Sequence, residues 1–115
     1  MKGKLIALPQ SITTNPTSTV TFTCSTNWTV DHVNWERKNN AGNLSNYEPV
    51  YFGGAIGTSF KSRYSVTRSI AYTLTVVNVT SVDAGIFKCV DKGGRGPNES
   101  TAELNILGEF TSHRT

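Results

Sequence analysis

The nine residues from Ser81 to Cys89 constrain the fold of this chain more than any other stretch. They read Ser-Val-Asp-Ala-Gly-Ile-Phe-Lys-Cys. The Asp closes a turn, and an aromatic residue two positions before a Cys is typical of a buried strand that starts after such a turn. We therefore predict a β-strand that ends in a half-cystine, with Cys24, the other cysteine of the chain, as its partner.

The two cysteines indicate the compartment in which the chain folds. They lie 65 positions apart and form neither a Cys-x-x-Cys motif nor a metal-ligand spacing. We predict a structural disulfide, and hence an extracellular chain that is secreted or part of a cell-surface ectodomain. Closing a loop of this length stabilises a fold by about 4 kcal/mol on the chain-entropy estimate. Two free thiols in a cytosolic protein are the alternative.

Short runs of alternating apolar and polar residues recur along the chain and predict β-strands. The clearest is Thr19 to Cys24, in which Val20, Phe22 and Cys24 share one face. Further runs are Val33–Arg37, Glu48–Phe52, Arg63–Arg68, Tyr72–Val76 and Thr101–Leu107, whereas Gly53–Ser59 is either a loop or a ragged edge strand. No helical period is present. We predict one all-β antiparallel domain over residues 1–108 and a tail or linker over 109–115.

These residues resemble an immunoglobulin domain. Trp35 follows Cys24 by eleven positions, and the pattern Leu74-x-Val76-x-x-Val79 precedes Asp83-x-Gly85-x-Phe87-x-Cys89. The resemblance implies an immunoglobulin-like β-sandwich of the variable type (V-set), with two extra edge strands and Trp35 stacked on a Cys24–Cys89 bridge. It also implies a salt bridge between Arg63 and Asp83, with Arg37 as a candidate third member.

Three positions depart from the variable-type pattern. Phe87 stands where the family usually carries a tyrosine, so a hydroxyl hydrogen bond is lost there. The last strand, Ala102 to Ile106, resembles the intermediate type (I-set) and lacks the bulge of rearranging receptors, which argues against an antibody-like paired dimer. Gly85 lies where a strand would prefer Ala, at a mild local cost.

Charge and chemistry exclude several classes of function. Eleven Lys and Arg are scattered singly among eight Asp and Glu, for a net charge of +3, so we expect no nucleic-acid partner. The two histidines, His32 and His113, have no nucleophile or carboxylate pair to work with. We predict no catalytic residues, no metal and no cofactor. No apolar run has the length of a membrane span, so we expect no membrane insertion by this fragment.

The resemblance places ligand recognition in three loops, Ser25–His32, Gly53–Ser59 and Asp91–Ser100. The ligand-binding candidates in them are Trp28, Asp31, His32, Lys92 and Arg95. Trp28 has an alternative role, in which it folds back over the top of the core. The outward positions of the sheet that carries Trp35 include Asn34, Glu36, Lys88 and Val90. That face is polar, so we expect a monomer or a weak homodimer.

Four Asn-x-Ser/Thr sequons are candidate glycosylation sites: Asn27, Asn43, Asn78 and Asn98. Glycans at Asn27 and Asn98 would lie on the first and third loops and would obstruct a loop-mediated contact.

The leading functional hypothesis is a non-catalytic recognition module of an immune-type receptor that binds a protein or carbohydrate ligand through its loops. One alternative is a cell-adhesion domain that pairs through a sheet face. Another is a structural module of a tandem array, to which the last strand points and in which the cysteines would stay reduced.

Overall fold

The computed structural model describes residues 5–26, 33–39, 47–68, 72–91 and 99–107. These residues form ten strands and two single turns of 3₁₀ helix. The strands are β1 (Leu5–Ala7), β2 (Ile12–Thr14), β3 (Val20–Thr26), β4 (Val33–Asn39), β5 (Glu48–Phe52), β6 (Ala55–Ile56), β7 (Tyr64–Thr67), β8 (Tyr72–Val76), β9 (Gly85–Asp91) and β10 (Glu99–Ile106), and the 3₁₀ turns are Thr58–Phe60 and Ser81–Asp83. The predicted all-β architecture is confirmed.

The strands form two sheets that face each other as a sandwich. One has four strands in the order β1-β3-β8-β7, and the other has six in the order β2-β10-β9-β4-β5-β6. All neighbours pair antiparallel except β2 and β10, which are parallel. The chain therefore leaves the first sheet after β1 and joins the second at β2. Pro9 lies in this crossing, where its missing N–H costs no ladder hydrogen bond.

The core lies between the two sheets, and the predicted disulfide joins one sheet to the other. Cys24 on β3 is bonded to Cys89 on β9, and both residues are fully buried. Trp35 lies opposite Cys89 in the β4–β9 pairing and has no exposed surface. The rings of Phe22 and Phe87 stack with their centroids 5.0 Å apart, one from each sheet. The alternating inward residues of both sheets thus build one apolar layer.

Two edge strands follow β4, as the length of chain after Trp35 implies, but Gly53–Ser59 is not a single loop. Gly53 and Gly54 have φ values of +62° and +88° and join β5 to β6 through a two-residue hairpin turn. Positive φ at both central positions is the requirement of a type I′ turn, and glycine meets it without strain. Of the two alternatives for this segment the ragged edge strand is correct, because β6 pairs with β5 between the hairpin turn and the 3₁₀ turn at Thr58.

Gly85 also differs from the expectation. It is buried at the start of β9 between Asn39 and Leu104, and its φ is +151°. A side chain is strained in that region of φ. The expectation that a strand would prefer alanine here is therefore wrong. The backbone conformation at this position requires glycine.

We expect Gly85→Ala to lower the free energy of unfolding by about 1–3 kcal/mol, the usual cost of forcing a side chain into such a backbone conformation. Urea denaturation measures this loss directly. The matched control is Gly57→Ala, because Gly57 has φ −60° and a Cβ there would meet its nearest neighbour, Phe60, at 3.4 Å. The control should be neutral or slightly stabilising, and equal losses in the two variants would contradict the prediction.

Candidate functional site

The strand ends that flank residues 27–32 and 92–98 lie side by side at one end of the sandwich, which we call the upper end. Val33, the first residue of β4, pairs with Asp91, the last of β9, and Glu99 at the start of β10 pairs with Val90. The Gly53–Gly54 turn joins them, because the Gly53 amide donates to Asn34 Oδ1 at 3.3 Å. Three connections thus begin or turn within one small area.

The outer surface of the six-stranded sheet carries a cluster of charged and aromatic side chains. We call it the Lys88 cluster: Glu36, Lys38, Tyr47, Lys88 and Glu99. Lys88 Nζ lies 3.5 Å from Glu36 Oε1, 3.4 Å from Glu99 Oε1 and 4.0 Å from the centroid of the Tyr47 ring. Lys38 Nζ lies 5.0 Å from the centroid of the same ring, so two ammonium groups lie close to one aromatic ring.

The charges of the Lys88 cluster nearly cancel. Burial alone would lower the pKa of Lys88, but the Glu99 and Glu36 carboxylates outweigh it and raise that pKa above its ordinary value. Lys88 therefore stays an ammonium ion at physiological pH. On such a face, balanced charges fix the orientation in which a partner binds more than they strengthen the binding.

An exposed aromatic side chain on the strand that pairs with β4 was not predicted from the sequence. Phe52, the last residue of β5, is 60% exposed, whereas Val50 and Tyr51 are both buried. Strict alternation would bury Phe52 together with Val50. It fails here because the β4–β5 register shifts between Trp35 and Glu36, so two consecutive residues face inward. Only the pairing of the two strands reveals this register shift, since nothing in the five residues of β5 indicates it.

Two of the predicted outward positions are covered. Asn34 is 7% exposed and Val90 is 9% exposed. Asn34 is covered because its side chain accepts the hydrogen bond from Gly53 and so lies under the hairpin turn. The accessible part of this face is therefore narrower than alternation alone indicates.

The opposite, lower end is closed by an ion pair around Asp83, which is 1% exposed. Arg63 Nη1 and Nη2 donate to its two carboxylate oxygens at 2.8 and 2.9 Å, and the Tyr64 hydroxyl donates at 2.7 Å. The Thr80 amide adds a fourth hydrogen bond at 2.9 Å. Burial alone would raise the pKa of Asp83, but these four donors outweigh it and hold that pKa below its ordinary value.

Arg37 reaches the same end through the backbone of the 3₁₀ turn. Its Nη2 donates to the carbonyl oxygens of Val82 and Ala84 at 2.9 and 3.4 Å, and its Nη1 lies 3.3 Å from Glu48 Oε2. Arg37 and Arg63 both line a cleft at this end. Glu48 neutralises the charge of Arg37, and Asp83 neutralises that of Arg63. The two ion pairs of this cleft hold the scaffold together.

The comparison with sequence families decides the family of this chain. The family of immunoglobulin domains matches residues 10–101. The chain belongs to the immunoglobulin family.

Solved structures agree on the fold of this immunoglobulin domain. The crystal structure of the RIG-5 IG1 homodimer is 19% identical in sequence and superposes with a TM-score of 0.78, covering 94% of this chain and all of that one. Since 1953 chains of solved structures match, the likeness identifies a widely shared fold. A search of curated proteins gave no match.

The ligand-binding candidates Trp28, Asp31, His32, Lys92 and Arg95 of this immunoglobulin domain lie outside the described residues, as do the sequons at Asn27, Asn43 and Asn98. Their roles stay predictions. Within the described ranges there is no helix with the length and apolarity to cross a membrane. The same residues contain no group of three His, Cys, Asp or Glu side chains that could hold a metal ion.

Proposed function

We propose that this immunoglobulin domain is a non-catalytic recognition module of a secreted or cell-surface protein, and that two copies pair through the outer face of the six-stranded sheet. One observation carries the proposal: Phe52, at the end of β5, is 60% exposed, and β5 pairs with β4, the strand that carries Glu36 and Lys38 of the Lys88 cluster. A large exposed aromatic residue next to oriented polar groups is the usual composition of an interface anchor and its rim.

The charges of the face fit a second copy of the same face. In a two-fold pair each Lys88 cluster meets another, so Glu36 and Glu99 of one copy can face Lys38 and Lys88 of the other. The similar RIG-5 IG1 domain was crystallised as a homodimer, which lends support by analogy of fold. Because the face is mainly polar, we expect weak pairing, in the micromolar range or above.

We expect Phe52→Ser to weaken self-association about thirtyfold, which corresponds to the roughly 2 kcal/mol that defines an interface anchor. Sedimentation equilibrium over a wide concentration range measures the dimer constant. Val82→Ser is the matched control, because Val82 is 59% exposed but lies in the 3₁₀ turn at the lower end. The control should leave the constant unchanged.

A chain that stays monomeric at every concentration would overturn the pairing proposal. So would equal weakening by Phe52→Ser and Val82→Ser, because pairing would then not depend on this face.

The second candidate function is recognition of a protein or carbohydrate ligand through the upper end, in an immune-type receptor. The observation that favours it is the meeting of strand ends at Val33, Asp91 and Glu99, with the Gly53 turn beside them. A rigid sandwich that presents several adjacent connections is a common design of binding sites. A monomer with an intact fold would favour this function over pairing.

A further inference from the structure

We propose that Asn78 carries an N-linked glycan in the native protein. The proposal rests on the extracellular location in the proposed function, and it assigns a covalent modification site at the lower end of the domain. Of the four sequons in the sequence, Asn78-Val79-Thr80 is the one that falls within the described ranges.

The backbone around Asn78 presents its side chain to solvent. Asn78 is exposed and has φ +54°, a conformation that asparagine tolerates better than most residues. The next residue, Val79, is fully buried and is held on both sides: its amide donates to Ser18 O at 3.0 Å and its carbonyl accepts from the Thr17 amide at 2.7 Å. The turn is thus anchored by Val79 while Asn78 points outward.

The hydrogen bond between Asn78 and Arg63 leaves the side-chain amide of Asn78 available. Arg63 Nη1 donates to the Asn78 main-chain carbonyl at 3.3 Å, which involves the backbone and not the side chain. A glycan on Nδ2 would therefore leave the ion pair between Arg63 and Asp83 unbroken.

The position of Asn78 keeps a glycan away from the candidate interface. Strand β3 runs from Val20 to Thr26 at the upper end, and β8 runs antiparallel to it, so β8 ends at Val76 beside Val20. Asn78 follows that lower end. Seven residues of strand span about 20 Å, so the attached sugar begins roughly that far from the upper connections and leaves Phe52 free.

The transfer needs a lipid-linked oligosaccharide diphosphate as co-substrate. The Asn78 amide nitrogen attacks the anomeric carbon of the first sugar; the new N–C bond forms as the C–O bond to the diphosphate breaks. The lipid diphosphate leaves with the bonding electrons, and the amide nitrogen gives one proton to a base of the transferase. In the folded domain Thr80 Oγ1 accepts a hydrogen bond from the Val82 amide at 3.4 Å, so we expect transfer to precede folding.

The test is secretion of the full chain from a eukaryotic cell, with Asn27, Asn43 and Asn98 all changed to Gln so that a single sequon remains. We expect one glycan, which peptide N-glycosidase removes, and conversion of residue 78 to Asp in heavy-oxygen water. Asn78→Gly in the same background should abolish it while keeping the positive φ, whereas Thr80→Ser, which retains the sequon, should keep it.

A secreted, disulfide-bonded product whose residue 78 is unmodified would overturn the inference and leave the proposed function standing. Free thiols at Cys24 and Cys89 in protein from its native source would overturn both, because the chain would then fold in a reducing compartment.

Discussion

We expect the double variant Cys24→Ala, Cys89→Ala to unfold about 4 kcal/mol more easily than the disulfide-bonded domain. The bond closes 65 positions of chain and joins the central strands of the two sheets, β3 and β9. Without it the unfolded chain gains the conformational freedom of that loop. Since single domains have total stabilities of about 5–15 kcal/mol, this is the largest loss that we predict.

Guanidinium denaturation, followed by tryptophan fluorescence, measures the change. Trp35 is a suitable probe because it is fully buried opposite Cys89. Reduction of the unaltered domain should cost the same free energy as the double variant, and Thr23→Ala, an exposed change on the same strand, should cost little. A loss below about 1 kcal/mol would contradict the prediction, because the bond would then add almost nothing to the packed core.

We expect Asp83→Asn to lower the free energy of unfolding by about 3 kcal/mol, the lower end of the cost of removing one partner of a buried ion pair. Asp83 is almost fully buried and accepts hydrogen bonds from Arg63, Tyr64 and the Thr80 amide. An asparagine presents one oxygen and one NH₂ group in place of two acceptors. Each carboxylate oxygen accepts two of the four hydrogen bonds, so two of these bonds lose their acceptor. The Arg63 charge also loses its counter-ion.

Glu48→Gln is the matched control for Asp83→Asn, because it neutralises a carboxylate whose side chain is 49% exposed. Its partner Arg37 is only 6% exposed but keeps its hydrogen bonds to the Val82 and Ala84 carbonyl oxygens, so we expect a loss of about 0–1 kcal/mol. If the two variants lost equal stability, the closure of the lower end by Asp83 would be no stronger than a surface contact.

The same carboxylate predicts a pH dependence. The pKa of Asp83 is lower in the folded domain than in the unfolded chain, so the unfolded chain binds the proton more readily. The stabilisation that the Asp83 carboxylate gives the fold is fully present above the unfolded-state pKa of about 3.9. It is lost as the pH falls through the lower pKa of the folded domain. The stability difference between the unaltered domain and Asp83→Asn should therefore be constant near neutral pH and shrink in acid.

Local pattern was sufficient for the scaffold. Val20, Phe22 and Cys24 alternate, and a strand turns alternate side chains to opposite faces, so their burial follows from spacing alone. The same holds for Leu74 and Phe87, which are fully buried. The strand β5 also has the predicted bounds, Glu48–Phe52, although the register shift interrupts its alternation.

The candidate interface could not be predicted in this way. Alternation indicated that Glu36 and Lys88 face outward, but Tyr47 and Glu99 come from distant parts of the chain. They meet Lys88 only when strands β4, β5, β9 and β10 pair. Phe52 is exposed because the β4–β5 register shifts, an event that involves two strands at once.

The amino-acid sequence by itself thus determined the strands, because their period is a local property, and the pairing of its two cysteines. The immunoglobulin sandwich and the buried tryptophan followed from the family resemblance that Cys24, Trp35 and Ser81–Cys89 carry. Only the tertiary structure decided which side chains form the outer face, why Gly85 must be glycine and that Tyr64 and the Thr80 amide join Arg63 around Asp83. Those features depend on register, backbone torsion and contacts between strands far apart in sequence, and none of these is a property of a single segment.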